Sequence, residues 1–300
     1  MDSNFKEKLK GLMKNQMATW LRSSIFWIIL ALIIGGLISV FGFRYFIAKP
    51  EIGTIRVSGS IFSQWQVDEI LEQLRYAKEK KEIKAIVLEI DSPGGEASAI
   101  EGLYLALLNL REKKPIVASI NQKGASGGYY LAIASNFIYA KPDSEIGSIG
   151  AWTSLPLPEM PSEETLPTGP FKDTGMTRQK AVGQLEMLRQ SFLGVVLFHR
   201  GEKLKISPEE LTKAEVYTGI EGLRYGLIDE IGSGFEAIEK AAKISGISHY
   251  QVVDVAKEMT ERERASSEKG VTLPTPEPEK KAIETKDLLP SYYYLIESIK

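Results

Sequence analysis

From Ile52 onward the chain alternates between short strand-like stretches and longer ones in which apolar residues recur at helical spacing. Thr54–Val57 is a β-prone run, and Ala85–Ile90, Ile116–Ile120 and Phe137–Ala140 read as buried strands. Val67, Ile70, Leu71 and Leu74 mark one helix, Leu103, Leu107, Leu108 and Leu110 another, and Tyr129–Ala134 the start of a third. Strands apolar on both faces, separated by helices, predict an α/β fold with a largely parallel sheet, because only a sheet covered on both sides hides such residues.

The rhythm breaks over 153–175, where prolines at 156, 158, 161, 167 and 170 forbid a continuous helix or a central strand. Met176–Glu202 then returns to the period of a long amphipathic helix, with Thr177 as its cap. Past Asp254 the composition turns charged. Lys257–Lys286, with Pro274, Pro276 and Pro278, reads as a solvated linker. It leads to Tyr292-Tyr293-Tyr294-Leu295-Ile296, apolar enough that docking on a sheet edge is expected.

Ahead of the α/β region lie 21 uncharged residues, Ser23–Phe43, between Arg22 and Arg44. As a helix they reach about 31 Å, the thickness of a bilayer's hydrocarbon core. Trp20, Trp27, Phe43, Tyr45 and Phe46 stand near its ends, where aromatic rings favour the interface. A cleaved leader has an apolar core of roughly 7–15 residues and a small-residue cleavage site. Neither fits, so a retained anchor is expected. Residues 1–22 carry five Lys and Arg and residues 44–63 carry three, which puts the N-terminus in the cytoplasm and the following domain outside the cell membrane. The predicted division is a cytoplasmic N-terminus (1–22), a transmembrane anchor (23–48), an α/β domain (50–254) and a linker with tail (255–300).

Composition narrows the chemistry. Lys and Arg number 37 against 39 Asp and Glu, a net charge of −2 that offers no basic field to nucleic acid. Cysteine is absent, which excludes disulfides, thiolate metal sites and Cys nucleophiles. The two histidines, His199 and His249, lack the spacing of a metal pair, and His199 reads as a helix-face residue. No G-x-x-x-x-G-K-[ST] loop occurs, so no nucleotide, metal or other cofactor is expected. Hydrolytic chemistry here needs a hydroxyl nucleophile and a base other than histidine.

Two loops carry that possibility. Gly124-Ala125-Ser126-Gly127-Gly128 directly follows the Ile116–Ile120 strand. Its small residues let the backbone turn sharply and let a substrate reach Ser126, while a helix N-terminus offers N–H groups to an oxyanion. The bland reading is a tight turn whose serine caps a helix. Asp91-Ser92-Pro93-Gly94-Gly95 ends the preceding strand, and parallel strands bring both loops to one rim. It reads either as an ordinary Pro-Gly turn or as a donor of N–H groups to a substrate carbonyl.

Read together, these residues resemble the signal peptide peptidase A family of serine proteases, which has the crotonase-like fold of the Clp protease subunit with repeated β-β-α units. Further matching pieces are Glu145-Ile146-Gly147-Ser148-Ile149-Gly150, Phe171-Lys172-Asp173-Thr174-Gly175, Tyr217-Thr218-Gly219 and Gly226-Leu227-Ile228-Asp229-Glu230-Ile231-Gly232. The resemblance implies Ser126 as nucleophile, Lys172 as general base and Ser148 as the residue orienting the lysine amine. It implies an oxyanion hole from the N–H of Gly127 with that of Gly94 or Gly95. Lys180 is the competitor for the base. A lysine activates a hydroxyl only in its neutral form. Also implied are a membrane-anchored endopeptidase acting on remnant signal peptides or other hydrophobic peptides, and a homo-oligomer.

Two other classes compete. Gly124–Gly128 also satisfies G-x-S-x-G, the nucleophile elbow of an α/β-hydrolase esterase, with Asp229 and His249 in the required order. A non-catalytic membrane scaffold could keep the fold without the chemistry. An acyl-CoA enzyme of the crotonase type fits an anchored external domain poorly.

Overall fold

The structure is a computed structural model that describes residues 3–21, 26–36, 49–154, 168–172 and 174–268. The chain divides into two units, Met1–Lys49 and Pro50–Lys300. In the first, α1 spans Ser3–Leu21 and α2 spans residues 26–36. Trp27, Ile28, Ile29, Leu32, Ile33 and Ile34 of α2 are exposed. Among the described residues no helix is long and apolar enough to cross a membrane. Positions 22–25 and 37–48, which belong to the apolar segment expected at 23–48 and its flank, lie outside the described residues.

The second unit is a mixed α/β structure. Its strands are β1 (Glu51–Ser58), β2 (Ile83–Ser92), β3 (Ile116–Ala125), β4 (Phe137–Ala140), β5 (Glu145–Gly147), β6 (Val216–Tyr217), β7 (Glu230–Ile231) and β8 (Gln251–Asp254). Its helices are α3 (Gln64–Glu79), α4 (Ala97–Arg111), α5 (Gly127–Ala132), α6 (Arg178–Arg200), α7 (Pro208–Leu211), α8 (Gly219–Tyr225), α9 (Gly234–Ser245) and α10 (Val255–Glu268). The sheet runs β6-β5-β3-β2-β1-β8, with β4 also on β3 and β7 on β4. Every pairing is parallel except β5 with β6.

Both faces are covered, as the continuous apolar strands require. Ile86, Leu88 and Ile90 of β2 join the larger core with residues of α3, α4 and α5, while Ala85 and Val87 point the other way. There they meet Ala237, Ala241 and Ala242 of α9, whose small side chains let the helix lie close to the sheet. The long helix expected after the proline-rich segment is α6, and Thr177 caps it by accepting the Lys180 N–H at 3.1 Å.

One fork in the sheet shapes the rest. The first half of β3 pairs with β4, through Val117–Ile120, and its second half with β5, through Lys123–Ala125. Ser144, buried where β4 gives way to β5, donates toward the carbonyls of Ile120 (3.1 Å) and Asn121 (3.0 Å). The fork leaves the last residues of β3 and β5 side by side.

The linker expected from residue 255 is corrected in its first part. Residues Val255–Glu268 form α10, with Val255 buried and Met259 packed against the core. Lys80 bridges Glu51 (2.5 Å) and Glu258, and Arg262 lies over the Tyr76 ring. A charged sequence hides this because its apolar positions Val255 and Met259 are only one helical turn apart, and Glu258 and Arg262 find their partners at Lys80 and Tyr76, at the end of α3. Tyr292–Ile296 lies outside the described residues.

Candidate active site

Ser126 links β3 to α5 with φ 50° and ψ −123°, a conformation costly for any residue with a Cβ. It occupies the N-cap position, yet its side chain makes no capping hydrogen bond. The hydroxyl is therefore not spent on the helix. The turn is held from the backbone instead, by Ser126 N–H donating to Gly147 O (2.8 Å) and Tyr130 N–H donating to Ser126 O (2.9 Å).

The Asp91–Gly95 loop lies directly against this turn. A Cβ on Gly94, whose φ is 102°, would stand 2.6 Å from Gly127 N and 3.1 Å from Ser126 Cβ. A Cβ on Gly127 would meet Ile100 at 2.7 Å, and one on Gly128 would meet Ser92 O at 2.3 Å. The glycines thus allow backbone-to-backbone contact that no other residue permits. Ile61 pins the loop from beneath: its N–H donates to Gly94 O and its carbonyl accepts from Glu96 N–H, both at 2.9 Å. Glu96 in turn caps α4 by accepting the Ala99 N–H at 2.8 Å.

These contacts sort the expected oxyanion donors. The Gly94 N–H is already given to Ser92 Oγ at 3.1 Å. The Gly95 N–H takes no part in the Ile61 bridge, and the Gly127 N–H opens α5, where a helix has no acceptor of its own. Gly95 and Gly127 remain as donors.

Ser148 follows β5 with φ 51°, its N–H donating to Glu215 O at 2.8 Å. Ala125 pairs with Gly147 in the β3–β5 register, so Ser126 and Ser148 are the next residues on adjacent strand ends. The structure brings Ser126, Ser148, Gly94, Gly95 and Gly127 together. Lys172 makes no side-chain hydrogen bond to them among the described residues. Lys172 is exposed in a turn where its N–H donates to Gly169 O (3.1 Å), and its amine has no hydrogen-bond partner among the described residues. Positions 155–167 and 173, which flank it, lie outside the described residues. Lys180 is exposed in the first turn of α6.

The esterase constellation is not assembled. Asp229 is buried and accepts from Arg200 Nη1 (2.9 Å), Lys203 Nζ (2.6 Å) and Ile138 N–H (2.8 Å). Burial alone would raise its carboxyl, but the Arg200 and Lys203 bonds hold it below the ordinary carboxylate range. His249 is exposed beside Ser248. His199 is half-buried with Nε2 2.8 Å from the Tyr104 hydroxyl, and burial, with Arg111 and Arg200 nearby, pushes its pKa down to about 4. Among the described residues no group of three His, Asp or Glu is placed to hold a metal ion.

Sequence reasoning missed the support beneath the site. Gly147 has φ 97°, and a Cβ there would meet the Tyr217 ring at 2.9 Å. Tyr217 is buried, and its hydroxyl has no hydrogen-bond partner in the described structure. The two-residue strand that carries it is too short to show a period.

Residues 109–248 match the profile of peptidase family S49, a span that includes Ser126, Ser148 and Lys172 but begins after Gly94 and Gly95. The chain is 30% identical over 224 residues to the chloroplastic serine protease SPPA of Arabidopsis thaliana, covering 66% of this chain and 33% of that one. It is 30% identical over 202 residues to protease 4 of Salmonella typhi, covering 62% and 32%. It is 29% identical over 215 residues to protease 4 of Haemophilus influenzae, covering 65% and 35%. The chain thus spans about a third of the length of these curated relatives. The motifs around Ser126 and Ser148, the matched span and these relatives agree: residues 109–248 carry a peptidase family S49 domain, similar to the SPPA and protease 4 serine proteases.

Proposed function

We propose that this protein is a membrane-anchored serine endopeptidase in which Ser126 attacks the scissile carbonyl. The observation that carries the reading is the Ser126 turn: a strained serine whose hydroxyl makes no capping hydrogen bond, pressed against the Gly94 backbone. In the first step the Ser126 oxygen bonds to the carbonyl carbon, its proton passes to a neutral lysine amine, and the carbonyl electron pair becomes an oxyanion. The N–H groups of Gly127 and Gly95 receive that charge. The lysine then gives its proton to the leaving amine, and water releases the acyl group in a second round.

Lys172 is the base in this reading and Ser148 orients its amine. Lys172 stands exposed in the free chain, so its approach to Ser126 belongs to the substrate-bound state, since catalytic hydrogen bonds often tighten only there. Substrates are hydrophobic peptides, remnant signal peptides among them, entering extended by strand addition. The apolar segment at 23–48 holds the catalytic domain at the external face of the cell membrane, and copies of the chain assemble into a homo-oligomer. The domain is of the Clp/crotonase-like kind.

The test is substitution. Ser126→Ala and Lys172→Ala should each abolish peptidase activity with the fold intact, because members of a catalytic unit are non-additive. Lys172→Arg should fail equally, since a guanidinium does not give up its proton. Normal turnover by Lys172→Arg would remove Lys172 from the role and pass it to Lys180.

A further inference from the structure

Ser92 is the last residue of β2, is completely buried, and has a hydroxyl engaged on both sides. Oγ donates to Gly59 O at 2.7 Å and accepts from Gly94 N–H at 3.1 Å. Its carbonyl occupies the place that a Cβ on Gly128 would need. One small side chain therefore ties the turn after β1 to the glycine loop, while its backbone touches the start of α5.

A hydroxyl has one proton to give. Because that proton goes to Gly59 O, a lone pair faces the Gly94 N–H and holds it inward. With Gly94 fixed at φ 102° and its carbonyl bonded to Ile61 N–H, the peptide that follows has little freedom left. The Gly95 N–H is then the loop's free donor before any substrate arrives.

We propose that Ser92 is a positioning residue for the oxyanion hole: by anchoring the Gly94 N–H it keeps the Gly95 N–H aimed, beside that of Gly127, at the oxygen on which charge develops. This rests on the reading of Ser126 as nucleophile. Donors fixed in advance need no reorganisation during reaction, and such donors carry much of the rate enhancement in acyl transfer. In Ser92→Ala the buried Gly94 N–H loses its partner, while Gly59 is exposed and its carbonyl can turn to water, so the loop can rotate to find another acceptor.

The experiment compares the full-length wild type with Ser92→Ala on one hydrophobic peptide substrate and on two matched inhibitors. A peptide aldehyde adds to a serine hydroxyl and puts an oxyanion in the hole; the matching peptide alcohol forms no adduct. The expected result is a kcat lower by about tenfold to a hundredfold, KM within about twofold, and aldehyde affinity weakened by the same factor as kcat. Alcohol affinity should not change. Unchanged kcat, or equal weakening of aldehyde and alcohol, overturns the proposal. If Ser92→Ala does not fold, amide NMR of the wild type decides: aldehyde binding should shift the Gly95 amide and leave Gly94 in place, and the reverse overturns the role. Activity surviving in Ser126→Ala would overturn the reading of the site and this inference with it. Activity lost in Ser126→Ala but intact in Ser92→Ala overturns this inference alone.

Discussion

Ser126 and Ser148 directly follow two parallel strands paired at Ala125 and Gly147, each with a left-handed backbone, φ 50° and φ 51°, and the Ser126 N–H donates to the carbonyl of the residue before Ser148. Two non-glycine residues so placed cost of order 1–3 kcal/mol each. The surrounding bonds hold them there: Gly147 O beneath Ser126, Glu215 O beneath Ser148, and the Tyr217 ring against Gly147. Of the three non-glycine residues with positive φ among the described residues, the third is Ala214 at 57°, next to the Glu215 whose carbonyl holds Ser148.

Relief of that strain is measurable. Ser126→Gly should unfold at a higher temperature than Ser126→Ala, by about 1 kcal/mol in stability, because only glycine adopts this backbone freely. Both variants should be inactive. Equal thermal midpoints would show that position 126 is not strained in solution.

The contact between loops gives a second test. Gly94→Ala places a Cβ 2.6 Å from Gly127 N and should lower kcat by more than about a hundredfold, as losing an oxyanion donor does. Gly102→Ala in α4 has open space around it and should instead gain about 0.5–1 kcal/mol with activity intact. Steady-state kinetics on the pair separate the loop contact from a general intolerance of alanine.

Asp229 supplies a pH dependence. Its carboxyl is held below the ordinary range in the folded state, so the unfolded chain takes up its proton first. The stabilisation is complete above the unfolded value near 3.9 and is lost as pH falls through the lower folded value. Asp229→Asn should cost about 3–5 kcal/mol at neutral pH by leaving Arg200 buried without its partner. The gap to wild type should narrow below about pH 4. Denaturant unfolding at several pH values checks this, and a gap that widens in acid would contradict it.

Much of the fold was legible because a sheet covered on both faces leaves continuous apolar strands, as in Ala85–Ile90 and Ile116–Ile120. The rim where Asp91–Gly95 meets Gly124–Gly128 followed from parallel strand direction alone. The short strands β5, β6 and β7 were not legible, since two or three residues carry no period. The β3 fork was hidden for the same reason, and with it the register that sets Ser148 beside Ser126. Residues 255–268 misled because α10 is tied by the Glu258–Lys80 ion pair and the Arg262 contact with the Tyr76 ring, which composition alone does not reveal.

Tyr217 offers a test of the support beneath the site. Among the described residues its hydroxyl is buried without a partner, and burial raises its pKa, so it stays protonated. Tyr217→Phe keeps the ring against Gly147 and should gain about 1 kcal/mol, the desolvation cost of the lone hydroxyl. A loss of stability in thermal unfolding would mean that the hydroxyl has a partner in solution.

The central claim is that the Ser126 hydroxyl is the nucleophile. The most direct measurement treats the full-length protein with a fluorophosphonate and locates the adduct by peptide mass spectrometry. One phosphonyl group on Ser126, absent from Ser126→Ala and suppressed in Lys172→Ala, is the expected result. No adduct at all, or an adduct on another serine with Ser126 unmodified, would contradict it.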